Sequence, residues 1–526
     1  MKIIKEFFTK EKNKGMLTAL NVLIIVILIN ILVSFSHFKI DLSPNKIHSI
    51  SPATKKIIKE VDDIVEIKVF ISEELPPQIS PLKEELLSLL QNYKDVSNDK
   101  IIIKRADPNK DSQAKQDATK LGIQPMQFST VESDKLEVAN GYFALSVSHK
   151  DEVEVIQALQ NLQNLEYYLT SSIKKVSSGE IKKIGMTNAD PDPLTGSQPL
   201  IAQGIEQSYS FNPINLESET YDLDSIDVLI INNPIDELSQ NAQVYIDQFI
   251  QSGKGVIIFY DQFNINNQLQ ATPNTSNIIE IINHYGFEVQ NKMILDSSAV
   301  VAGFRSADSS SFYTLYPFWI KTTQQGLNSD YSFTSGINTL VFNWTSPLVL
   351  TKDANYLVKT TDQAWIDQLE TPNLDPTRKY SQADVKETGS KVIAGVQQNK
   401  IESLFSNDNL SKSVFQSINK EKLVSGENNL RLVVVADADF ISDNTLMNNQ
   451  ENYVFAMNTI DFLALESDLS SIRSKALSVY PLKNIEDSQK QIIRIAGLLS
   501  PILISGILFG GVYFYRKKYI NSSQTK

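Results

Sequence analysis

The chain has 526 residues, a formal net charge of −12, no cysteine and only four histidines. The missing cysteine excludes disulfides, thiol nucleophiles and thiolate metal sites, and His37, His48, His149 and His284 are too scattered to form a histidine metal site. Residues 1–14 carry +3 and residues 516–526 carry +4, which leaves −19 on residues 15–515; so acidic a body excludes a nucleic-acid grip, which needs a basic patch.

In chain order, the first predicted element is an uncharged run at 15–35 (GMLTALNVLIIVILINILVSF). At 21 residues it is ~31 Å long as a helix, enough to cross a bilayer. The matching element is 495–515 (IAGLLSPILISGILFGGVYFY). The expectation is two transmembrane helices (15–36 and 495–515), with the basic tails 1–14 and 516–526 held in the cytoplasm and the body between them outside. Asn21 and Asn30 in the first run, and Gly506 and Gly510 in the second, are the candidate helix-packing residues. An uncleaved anchor is favoured over a signal peptide because the apolar run exceeds the usual 7–15 residues.

The body opens with a predicted strand at 64–72 (IVEIKVFIS), then a helix at 82–93 whose leucines recur at helical spacing. A strand at 100–108, a polar helix ending near Leu121, and two strands at 141–149 and 152–159 follow. That order is the one found in thioredoxin-like domains, here assigned to 37–178 without redox cysteines. The second domain, 179–477, reads as alternating apolar strands and helices: KKIGMTN from Lys182, a helix at 198–209, IDVLIINNP at 226–234, a Ser239-capped helix ending at Gly253, GVIIFYDQF at 255–263, a helix at 277–285, LRLVVVADADF at 430–440 and a helix at 452–465. Apolar strands with helices between them predict a Rossmann-like, doubly covered parallel sheet. A β-rich, aromatic insertion is expected around 288–398, and 478–494 reads as an exit segment to the last apolar run. The fold class is therefore α/β: a membrane-anchored chain with a thioredoxin-like domain and a Rossmann-like domain, flanked by one transmembrane helix at each end.

In open α/β sheets, ligands bind beyond the carboxyl ends of the strands. Three predicted strand tips carry polar groups there: Asn232 and Asn233, Asp261, and Asp437 with Asp439, with Asp443 just beyond. They could bind a ligand or only satisfy loop amides and cap helices. No phosphate loop, G-x-S-x-G elbow or H-E-x-x-H accompanies them, so no catalytic residue, metal site or cofactor is assigned.

Several segments resemble the Gld-type, gliding-motility-associated auxiliary components of ABC transport systems. They are DLSPNKIHSISPATKKIIKEVDDIVEIKVFISEELPP at 41–77, the central block from IDVLIINNP to VIIFYD, and the terminal block VVVADADFISDNTL with NQENYVFAMNTIDFLALESDLSSIRSKAL at 449–477. The chain departs from that pattern at Ala436, where glycine is usual, and at Asp461-Phe462, which replaces Asn/Asp-Trp. The resemblance implies an extracytoplasmic, membrane-anchored auxiliary subunit working with a separate permease and a separate ATPase. It also implies a class I amidotransferase-like central fold, whose catalytic cysteine cannot exist here. The soluble body would bind an unknown substrate or surface partner. The competing expectation is a membrane-tethered hydrolase or carbohydrate-binding enzyme using the strand-tip aspartates.

Overall fold

The computed structural model describes residues 49–473, apart from 74, 76–78, 133–134, 157–164, 179–180, 189–198, 219–221, 223, 306–310, 335, 368, 370, 382–383, 406–409, 420, 465–468 and 470–471. Contacts divide the chain after Ser478, and every described residue belongs to the first unit, Met1–Ser478.

The first part runs α1 (Pro52–Glu60), β1 (Val65–Ile71), α2 (Ser80–Val96), β2 (Ile101–Ala106), α3 (Ser112–Lys120), β3 (Met126–Glu132), β4 (Lys135–Gly141), β5 (Phe143–His149), β6 (Glu152–Ile156) and α4 (Leu165–Ser178). Ser51 caps α1 by accepting the Thr54 amide, and Asp111 caps α3 by accepting that of Gln113. One sheet has the order β2-β1-β5-β6, with β1 parallel to β2 and antiparallel to β5. Val65, Ile67 and Val69 of β1 point into a core with Leu86 and Leu90 of α2 and Leu169 and Ile173 of α4. The β3–β4 hairpin forms a separate ladder.

The second part runs β7 (Lys183–Thr187), α5 (Leu200–Glu206), β8 (Ser210–Ile214), β9 (Val228–Asn232), α6 (Gln240–Gln251), β10 (Gly255–Phe259), β11 (Phe263–Ile265), β12 (Ala271–Pro273), α7 (Ile278–His284), β13 (Phe287–Val289), β14 (Ile294–Leu295), β15 (Ala299–Arg305), β16 (Ser311–Lys321), β17 (Val341–Asn343), β18 (Leu348–Leu350), β19 (Asn355–Lys359), β20 (Trp365–Ile366), β21 (Val392–Gln397), α8 (Lys412–Ser417), β22 (Arg431–Val435), α9 (Asp443–Asn448) and α10 (Gln450–Leu463). The large sheet has the order β13-β18-β21-β22-β10-β9-β7-β8, with β19 also on β21. Its β22-β10-β9-β7-β8 half is parallel.

The parallel strands are apolar on both faces because both faces are covered. Along β9, Val228 and Ile230 enter one core while Leu229 and Ile231 enter the other; β10 and β22 split the same way. The first core holds α5 and α10 residues such as Ile201, Phe455 and Ile460, and the second holds α6 and α7 residues such as Phe249 and Ile282. Burying each such side chain is worth about 1.5–3 kcal/mol.

The fold expected from the sequence needs correction. The described residues form a mixed α/β structure with several sheets, and among them no helix is long and apolar enough to cross a membrane. The longest described helix, α2, carries Lys83, Glu84, Glu85, Lys94 and Asp95. Nor is the large sheet purely parallel, because β21 lies antiparallel on β22 and carries β18 and β19 beyond it. These three strands come from the aromatic segment assigned to an insertion. Its remainder forms the β15-β16-β17 and β14-β20 sheets around Tyr316, Phe318 and Trp365. The expected spans, with Asn21, Asn30, Gly506 and Gly510, lie outside the described residues.

Candidate functional site

Because β7, β9, β10 and β22 are parallel, their carboxyl ends open on one edge. There a cleft of about 380 Å³ is lined by Asn188, Pro199, Ile201, Asn232, Asn233, Asp261, Asp439, Ser442 and Asp443, among others. A second cleft, about 590 Å³, adjoins it beyond the β7, β8 and β9 tips and shares Asn188. The strand-tip residues anticipated from sequence thus meet at one place. Asp437 sits just behind them, fully buried.

Each tip is braced by its neighbours. Asn233 and Asn188 adopt left-handed backbone (φ 37° and 50°), which asparagine tolerates better than most residues. The Asn188 amide group donates to the Asn232 carbonyl at 2.7 Å, and the Asn232 backbone N–H donates to Thr187 Oγ1 at 2.9 Å. Asn233 Nδ2 donates to Asp261 Oδ2 at 3.0 Å, and the Asp261 N–H donates back to Asn233 Oδ1 at 3.1 Å. Asp261 Oδ1 accepts the Ala438 N–H at 2.6 Å. Asp437 accepts two amides, from Phe440 at 2.9 Å and from Asn343 at 2.5 Å. Across the cleft mouth, Asp443 Oδ1 accepts the Leu200 N–H at 2.8 Å, tying α9 to the start of α5.

Four of these carboxylate oxygens therefore hold backbone amides and a fifth holds the Asn233 side chain, the outcome expected for polar residues at strand ends. Asp439 differs: its carboxylate lines the cleft with no hydrogen-bond partner among the described residues, while its backbone carbonyl accepts the Ser442 N–H. Burial and the charge of Asp439 push Asp261 up to about 8, against the lowering effect of the Ala438 amide. Burial alone pushes Asp439 up to about 6. Asp437 is raised well above the ordinary range by burial and by both neighbouring charges. Among the described residues, no histidine, cysteine, lysine or arginine lines the cleft, and no group of three or more metal-ligating side chains is arranged for an ion.

Sequence reasoning missed Asn188, Ser442 and the Leu200–Asp443 tie, although KKIGMTN places Asn188 at a strand end. It also missed a buried polar cluster on α10. There Asp461 accepts the hydroxyls of Tyr209 (2.6 Å) and Tyr167 (3.3 Å) and pairs with Arg473. An acid inside the apolar helical run FAMNTIDFL was the signal available.

Comparison with known proteins places this architecture. The model of a family described as an ABC-type uncharacterized transport system (ABC_transp_aux) matches residues 159–464, more than half of the chain. The chain belongs to this family of ABC-transport auxiliary components. Residues 44–148 match a domain of unknown function, DUF7088. An uncharacterized protein of Borreliella burgdorferi is 22% identical over 534 residues, covering 97% of this chain and all of that protein. Among solved structures, the mmIFT52 N-terminal domain shares 12% identity with a TM-score of 0.34, covering 53% of this chain and 97% of that one. The family match contains the whole cleft-forming region: β7, β9, β10, the β22 turn and α9 all fall inside it.

Proposed function

We propose that this auxiliary protein is a non-catalytic subunit of an ABC transporter, working with a permease and a separate ATPase, and that its strand-tip cleft receives the transported substrate or a surface partner. Family membership across residues 159–464 is the observation that carries this reading. The chemistry of the cleft supports it. Most strand-tip carboxylate oxygens are engaged by amides, and among the described residues no thiol or imidazole stands beside them to act as nucleophile or base. Among the described residues, groups left to meet a ligand include the Asp439 carboxylate, Asp443 Oδ2 and the Asn232 side chain. Placement of the body outside the cytoplasm is supported by charge, since the chain ends carry +3 and +4 and the stretch between them −19, and basic flanks are held on the cytoplasmic side. Kinship with the Gld-type components in particular is supported by the opening and terminal blocks at 41–77 and 449–477.

The test is affinity capture of the tagged full chain from detergent-solubilised native cells. Co-capture of a multi-span permease and an ABC ATPase is expected. Capture of the chain without either subunit, under several mild detergents, overturns the proposal.

A further inference from the structure

We propose that β15 is a self-association edge: two copies of this chain join β15 to β15, antiparallel, about a two-fold axis at Ala302. β15 (Ala299–Arg305, AVVAGFR) is the end strand of the β15-β16-β17 sheet, and among the described residues its backbone pairs only with β16. An open sheet edge presents a row of unpaired N–H and C=O groups that another strand can satisfy.

The ends of the two larger sheets are defended. The first sheet ends on β2, which carries Lys104 and Arg105, and on β6, which carries Glu152 and Glu154. The large sheet ends on β8, which contains Pro213, and on β13, a three-residue strand with Glu288 at its centre. Charge, proline and shortness are the ordinary defences of an edge. β15 has none of them until Arg305, its last residue.

One face beside this edge is apolar as well. Across the β15–β16 ladder Val301 stands opposite Leu315 and Gly303 opposite Tyr313, so all four share a face. Val301, Tyr313 and Leu315 are 62%, 76% and 52% exposed. The Tyr313 ring leans over Gly303, where a Cβ would lie 2.9 Å from it.

The occupant is a second copy because the strand is complementary to itself. Ala302 is the middle residue of β15, so an antiparallel pair centred on it engages all seven residues. That register sets Val301 opposite Gly303 of the other copy, under the other copy's Tyr313 ring, and joins the exposed side chains of both hairpins into one apolar strip. It also sends the two Arg305 side chains to opposite ends, whereas a parallel pair in register would set like charges side by side. A two-fold pair closes on itself and leaves neither β15 edge open.

The chain has no native cysteine, so single cysteines report the pairing in the full-length protein in mild detergent. Strands about 4.8 Å apart, rising about 3.3 Å per residue, put the two position-301 Cα atoms about 8 Å apart and the two position-315 Cα atoms about 16 Å apart. A bismaleimide about 8 Å long should therefore join Val301→Cys chains into a covalent dimer and leave Leu315→Cys chains single. Native mass measurement should show the unsubstituted chain as a dimer, and Val301→Lys, a lysine placed on the edge, should lose it. Position 301 is exposed, so Val301→Lys should keep the native thermal midpoint. A monomeric native chain, equal linking at 301 and 315, a dimer that survives Val301→Lys, or a linked product whose mass is not twice that of the chain overturns the pairing. The inference does not rest on the cleft or the transport reading: a paired chain that captures no permease would sink only the transport reading, and a monomer that captures one would sink only the pairing.

Discussion

Arg473 and Asp461 form a buried ion pair, Nη1 to Oδ2 at 2.8 Å, with side chains 3% and 0% exposed. The guanidinium also lies 3.8 Å from the centre of the Tyr167 ring and donates to Asn458 Oδ1. Asp461 gathers the Tyr209 and Tyr167 hydroxyls on its other oxygen. Four parts of the chain therefore meet: α4, the turn after α5, α10 and the segment leading to the C-terminal region.

Arg473→Met should lower stability by about 3–5 kcal/mol, because it strands a carboxylate in the core. Adding Asp461→Leu should recover part of this loss but not all, since two tyrosine hydroxyls then lack their acceptor. Denaturant midpoints of the native, single and double variants check the order. A double variant less stable than Arg473→Met would contradict it.

How far the sequence foretold this structure depends on which force decided each element. Ser239 and Gly253 bracket α6 as read, because capping and left-handed φ (76° at Gly253) are local properties. The apolar alternation of β9, β10 and β22 was equally legible, since burial on both faces is written into every residue. The strand-tip cluster followed from topology, as parallel strands must present their carboxyl ends together. What could not be read were pairings between distant segments. Nothing local in VIAGVQ says that β21 runs antiparallel to β22, which turns a parallel sheet into a mixed one. The Leu200–Asp443 tie spans 243 residues and the Arg473–Tyr167 contact bridges the two parts of the body; neither has a periodic signature.

The carboxyl cluster gives stability a definite pH slope. Asp261 is raised to about 8 in the fold, against about 3.9 in an unfolded chain. A group raised by folding contributes fully below its unfolded value and loses that contribution as pH climbs through its folded value. The native chain should therefore weaken from pH 5 to pH 8. Asp261→Asn should flatten that decline, both by removing its own titration and by relieving Asp437 of a neighbouring charge. Urea midpoints at pH 5, 6.5 and 8 measure the two slopes, and identical slopes would show that Asp261 does not set the dependence.

Gly255 opens β10 where α10 crosses the sheet. A Cβ there would stand 2.6 Å from the Leu463 carbonyl oxygen and 2.7 Å from Leu463 Cβ. The obstacle includes backbone, so no rotamer change relieves it. Gly255→Ala should cost about 1–3 kcal/mol, the range for overpacking a filled core. The thermal midpoint should fall accordingly. An unchanged midpoint would mean that α10 is free to move off the sheet.

Asp247 does for the segment after β21 what Asp437 does for the turn after β22. It is fully buried on α6. One oxygen accepts the Tyr285 hydroxyl at 2.5 Å and the Leu404 N–H at 2.9 Å. The other accepts Ser403 Oγ at 2.6 Å and Gln248 Nε2 at 2.9 Å. Gln251 adds bonds to Tyr285 Oη, the Ile401 carbonyl and the Gly426 N–H, so α6 pins both limbs of the loop that carries α8 between β21 and β22. Asp247→Ala strands several donors at once, each worth about 1–3 kcal/mol when left without an acceptor. The loss should be local before it is global, because the apolar side chains beneath the loop remain in place. Amide hydrogen exchange should accelerate at Leu404 and Phe405 while the strands β9, β10 and β22 stay protected. Acceleration spread evenly through the sheet would show instead that this carboxylate supports the whole core.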